Sequence, residues 1–163
     1  MEFEELANQI MATWCRHNEI LIYLLDHIPD KSLGVVPVGS RGRDVARQFV
    51  HLDRARTGWL CYHETKKRLK LPRIDKAKPP TKSKLKKALL KSGLGVEIFL
   101  AKALQGKSRT RLFNGQVIRW IGYLIAHESY HRGQILLALK QAGLRLPEKV
   151  TINGLWGKWI FGK

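Results

Sequence analysis

Cysteine is scarce in this chain: two in 163 residues, Cys15 and Cys61. They form no C-x-x-C pair and cannot supply a cysteine-rich zinc knuckle, so two reduced, semi-buried thiols are expected. Long apolar runs are also missing. No stretch approaches the roughly 18 apolar residues needed to cross a bilayer. The opening Met-Glu-Phe-Glu-Glu is acidic, with no apolar region behind it to resemble a secretory signal. A cytoplasmic protein without membrane association is therefore expected. Strand patterns and internal repeats are absent. Acidic residues are few, 13 Asp and Glu against 30 Lys and Arg, giving a net charge of +17.

Such a charge invites a nucleic-acid or polyanion reading, but it is unevenly spread. Residues 66–91 hold twelve Lys or Arg against one acid, Asp75, and so carry +11 of the +17. No aromatic side chain for base stacking lies between Tyr62 and Phe99, and no nucleic-acid motif appears. A solvated charged connection is the simpler reading of the 66–91 segment. Polyanion binding is the alternative, and steering of an anionic substrate a third use.

What the chain does have is helical periodicity. Its length and its 44% hydrophobic and 26% charged content suit a single globular domain with a real core. Apolar residues recur at threes and fours from about Phe3 to Ile28. KSLGVVPVG breaks the pattern, and Ser40 is a plausible N-cap for a second helix reaching about Leu69. The proline- and lysine-rich stretch at about 70–82 reads as an extended linker. A third helix, about Ser83 to Leu104, is weakened by Gly93 and Gly95. GKSRTRLFNG is a loop. The fourth helix, about Gln116 to Gln141, is the strongest, with Gly143 placed as a C′ glycine. The tail LRLPEKVTINGLWGKWIFGK is read as irregular but aromatic, packed back on the helices. The class is all-α, a four-helix bundle. The long connections after the first and second helices permit a non-sequential arrangement.

The stretch HESYH, residues 127–131, matches H-E-x-x-H, the helical signature of zinc proteases. Histidines four apart stack on one helix face and can share a metal ion. On the fourth helix Trp120, Leu124, His127, His131, Ile135 and Ala138 form one inward stripe. Glu128 lies about 100° away, with Arg132 at the spacing of an exposed salt bridge. No histidine follows His131, the only later acid is Glu148 in the tail, and no strand edge is available to hold a peptide. The protease reading fails on those grounds.

A third ligand must come from another helix. His17 and His27 are ten residues apart and face different sides, and His27 suits a cap on the first helix's last carbonyls. His63 looks exposed. His51 is the best candidate, on a stripe with Gln48, Ala55, Gly58 and Tyr62, where small residues leave room for a ligand. Its competing role is a histidine paired to Asp44 or Asp53. Trp14 and Trp120 are read as core residues rather than pocket walls.

Three stretches resemble the DinB-like (YfiT-like) superfamily of metal-dependent proteins: VARQFVHLDRARTGWL, AHESYHRGQILLALKQAG and LWGKW. The opening TWCRHNEILIYLLDHIP is similar as well. The likeness covers nearly all of the chain except the lysine-rich linker. It implies a four-helix bundle that binds a divalent ion, zinc or nickel, through His51, His127 and His131. Gln134, one turn past His131, is a candidate to orient a ligand or a water. The catalytic residues and the reaction stay open. Some relatives are transferases or isomerases that use low-molecular-weight thiols, so a small-molecule thiol or anion is the implied partner. Relatives are often homodimers through bundle faces.

Overall fold

The computed structural model describes residues 2–73, 78 and 80–162, and among them every regular element is helical. Four long helices make the bundle: α1 (Phe3–His27), α2 (Val45–Thr65), α3 (Lys82–Leu104) and α4 (Val117–Gln141). The tail contributes a π-helical segment (Lys149–Trp156) that runs into the short α5 (Gly157–Phe161). The first helix thus begins where the periodicity predicts, and α3 and α4 match within a residue. The expected linker at about 70–82 falls partly on residues outside the described set.

The second helix is shorter than the reading from Ser40 to Leu69. Its N-cap is Asp44, whose Oδ1 accepts from Arg47 N at 2.7 Å, while Ser40 Oγ only closes a turn onto Gly42 N. It stops at Thr65 because Lys66 takes a left-handed backbone, φ 61°. At the end of α4, Gly143 has φ 73°, with Gly143 N bonded to Lys140 O and Leu144 N to Leu139 O. That pair of bonds satisfies carbonyls the helix would otherwise strand.

The helices are not arranged in chain order. α1 and α2 each pack against both α3 and α4, so they sit diagonally across the bundle. The long connections after α1 and α2 make this crossing possible. Gly93, which weakens α3 by propensity, is needed at the α1–α3 contact. A Cβ there would stand 2.5 Å from Asn18 Oδ1, and Trp14 Nε1 donates to Gly93 O at 3.2 Å.

The tail is helical rather than irregular. Val150 and Leu155 enter the core, and Gly154 lies so close to Tyr23 that a Cβ would come within 2.3 Å of its ring. Lys158 pairs with Glu19 at 2.6 Å, tying α5 to α1. The wider π-type turn is the form in which this short apolar stretch seats two buried side chains against α1.

The core has two apolar clusters. One gathers Leu21, Leu24, Leu25, Phe49, Leu52, Ile135 and Leu139; the other gathers Trp14, Val96, Phe99, Leu100, Trp120 and Leu124. Trp14 and Trp120 are both fully buried, as core residues should be. Between the clusters runs a polar layer. On α1 it holds His17 and Asn18, on α2 His51 and Arg56, and on α4 His127, Glu128 and His131. The candidate site lies in this layer.

Candidate metal centre

His51 comes from α2, and His127 and His131 from consecutive turns of α4. Their ligand atoms all lie within 4.8 Å of one another. His51 Nε2 and His127 Nε2 face each other at 3.2 Å, and each ring meets the other two nearly edge-on. The competing pairing of His51 with Asp44 or Asp53 is not made; Asp44 is occupied with Arg47. Two nitrogens on one tetrahedral zinc stand about 3.4 Å apart, given Zn–N distances near 2.1 Å. His51 and His127, at 3.2 Å, already stand at about that spacing, and the widest separation need close by at most about 1.4 Å, from 4.8 Å to about 3.4 Å.

The protonation states suit ligation. Burial, then Arg43, then the neighbouring rings pull His51 down to about 4. Burial, His127 and Arg43 bring His131 to about 4 against the opposing charge of Glu128. Burial also lowers His127, again opposed by Glu128. All three imidazoles are neutral at pH 7, with lone pairs to offer. His131 Nδ1 donates to Gln48 Oε1 at 2.6 Å, which leaves Nε2 as its donor to a metal. Gln48 lies three residues before His51 on the same face of α2. The spacing placed it there, but only the fold shows that it serves His131 on the other helix. Gln134 is half-buried one turn past His131.

The structure corrects the sequence reading of Glu128. It is fully buried, not an exposed partner of Arg132. Arg56 grips it with two bonds, Nε to Oε1 and Nη2 to Oε2, each 2.7 Å, and His17 Nε2 donates to Oε2 at 2.9 Å. Arg56 Nη1 reaches Asn18 Oδ1 at 2.8 Å and Leu89 O at 3.1 Å, so the network joins all four bundle helices. Burial alone would raise the Glu128 carboxyl; the charge and hydrogen bonds of Arg56, with His17, outweigh it and hold it at about 2. The cause of the misreading is geometric. α4 is covered on two sides, and a residue 100° from the triad stripe turns toward α1 instead of solvent. Arg132 instead donates to Ser129 Oγ at 3.3 Å. A carboxylate doubly held in this way cannot serve as a protease base.

His63 is also buried rather than exposed. It stacks between Trp59 and Phe99, and its Nδ1 accepts from Arg111 N at 3.2 Å. Burial and then Arg111 push it down to about 4. The unfolded chain takes up this proton near pH 6.5, while the native state resists until about pH 4. Stability is therefore whole above about pH 6.5 and falls as the pH drops toward 4, by roughly 3 kcal/mol for this group. In metal-free protein, His63→Phe should reduce the loss between pH 6.5 and 4, measured by urea unfolding at stepped pH. An unchanged pH dependence would show that His63 is not held neutral. His27 behaves as expected, its Nδ1 bonded to Tyr23 O at 2.8 Å near the end of α1.

The DinB family model matches residues 3–156. The chain belongs to the DinB family. The match covers the four bundle helices and the whole π-helical segment, and so includes all three histidines. No curated protein matches the chain. In this DinB protein Cys15 and Cys61 are both free, and no helix among the described residues is long and apolar enough to cross a membrane.

Proposed function

We propose that this DinB protein binds a divalent metal ion, zinc or nickel, through His51, His127 and His131, and acts on a small molecule brought to that ion. The observation that carries the proposal is the convergence of three neutral imidazoles from two helices, with His131 already oriented by Gln48. A half-buried set of three nitrogen donors with no carboxylate among them fits a borderline ion such as zinc better than calcium or magnesium. When bound, such an ion supplies Lewis acidity at an open coordination position. The chain's own residues do the rest. Burial keeps the rings unprotonated, Gln48 fixes the tautomer of His131, and Gln134 is a further candidate to orient the bound molecule. A transferase or isomerase using a low-molecular-weight thiol, or a hydrolase, would both suit such a site. The free cysteines fit a reducing, cytoplasmic setting.

The polyanion-binding alternative has less support. Lys82 Nζ donates to Asp26 O and Ile28 O, both at 2.8 Å, and Lys86 pairs with Asp26. Part of the basic segment is thereby committed to closing the end of α1.

Elemental mass spectrometry on protein purified without a metal-binding tag tests the proposal. About one ion per chain is expected in the wild type, with loss in His51→Ala and His127→Ala. No metal as purified, and no uptake of added zinc or nickel, would overturn it.

A further inference from the structure

A cavity of about 430 Å³ opens on the face of α2 that carries His51, one to three turns further along. Ala55, Gly58 and Tyr62 line it on that face, and Trp59 forms a side wall. Its size lies within the roughly 300–1,000 Å³ of small-molecule sites. None of the three histidines lines it, but two links lead from it to the metal centre. Ala55 is one helical turn from His51, and the Trp59 ring meets Tyr123 at 5.8 Å, which stacks on His127 at 5.7 Å.

Three features mark it as a built pocket. The first is Gly58. Mid-helix glycine costs roughly 1 kcal/mol relative to alanine, yet a Cβ at Gly58 would meet nothing within 4 Å. Packing does not require glycine there; its absence of side chain keeps the cavity open. The second is the loop that brings Leu112 to the far wall. The next residue, Phe113, has φ 60°, a strained value for a bulky side chain, and holds its ring 5.1 Å from Trp59. The third is charge. Arg54 and Arg68 line the cavity, and among the described residues no carboxylate does. Arg54 is steadied by a hydrogen bond to Pro72 O, which also draws the chain after α2 back over the pocket.

We propose that this cavity is the substrate pocket of the three-histidine centre and receives a molecule with a flat apolar body and a carboxylate head. The body lies against Trp59, Tyr62 and Leu112, and the carboxylate meets Arg54 and Arg68. The assignment of a substrate rests on the metal-centre reading, whereas the pocket's ligand class does not.

Isothermal titration calorimetry with 2-naphthoate, and with its neutral analogue 2-naphthalenemethanol, separates the two. Metal-free and zinc-loaded wild type should bind naphthoate at least about tenfold more tightly than the alcohol, as a charge-assisted bond to arginine requires. Gly58→Leu should abolish binding of both while retaining the fold, read by circular dichroism, and the metal content. Arg68→Glu should weaken naphthoate but leave the alcohol unchanged. His51→Ala should keep naphthoate binding in the metal-free state, so failure of the metal centre would show separately. Equal binding of acid and alcohol, no binding of either, or binding indifferent to Gly58→Leu would overturn the proposal. Naphthoate binding that is no different when zinc is present would overturn the pocket's connection to the centre.

Discussion

Glu128→Ala is expected to lower the unfolding free energy by about 3–5 kcal/mol, the usual consequence of removing one partner from a buried ion pair. Arg56 is wholly buried, and its guanidinium would lose both bonds to the carboxylate while keeping only Asn18 Oδ1 and Leu89 O. His17 would lose its acceptor as well. Urea unfolding of the metal-free protein at pH 7 measures the effect, and a loss below about 1 kcal/mol would refute the network's role. In the wild type the contribution is present above the ordinary carboxylate range and is lost only as the pH falls from about 4.5 toward about 2, where Glu128 takes its proton.

The double variant Arg56→Met with Glu128→Leu separates stability from positioning. Replacing a buried ion pair with apolar side chains of similar volume is often neutral or stabilising, so much of the loss should be recovered. Metal binding should recover less. Glu128 follows His127 in the chain, and Arg56 lies a little over one turn beyond His51, so the ion pair joins α2 to α4 at the level of the triad. Without it, the hydrogen bond from His131 to Gln48 is left to set how far His51 stands from the pair on α4.

How much of this was legible before the fold depends on whether a feature lives on one helix. His127 and His131 were legible because a single helix with a continuous apolar stripe fixes their facing. His51 was legible through its small neighbours, Ala55 and Gly58. Glu128 and His63 were misread for one reason: a position off the main stripe is exposed only if no second neighbour covers it. α1 covers Glu128, and α3 with the 106–115 loop covers His63. The pairing of Arg56 with Glu128 joins residues 72 apart in sequence and has no local signal. The diagonal placement of α1 and α2 was equally hidden, since periodicity says which face of a helix is buried but not by which neighbour. Gly93 looked like a helix weakness and is in fact the gap through which Asn18 reaches Arg56.

The second large effect is the stabilisation of the fold by metal. An ion that binds only the native chain should contribute about 2.7 kcal/mol at a free concentration one hundred times its Kd. For a protein of this length that raises the midpoint of thermal unfolding by roughly 5–10 °C. His51→Ala and His131→Ala should show no such shift, because two imidazoles leave too few donors to compete with water. The glutamines test how the site is supported. Gln48→Leu removes the acceptor of His131 Nδ1 and frees the ring to turn or change tautomer, so zinc affinity should fall about 10- to 100-fold. At a fixed zinc concentration the thermal shift should then shrink by about half or more. Gln134→Leu leaves the bond between His131 and Gln48 in place and should change affinity less; its effect should be felt instead by a molecule bound at the ion. Equal losses from the two glutamine variants would assign Gln134 to the support of the metal itself. No loss from Gln48→Leu would mean that the walls of the polar layer, not the 2.6 Å hydrogen bond, hold His131 in place.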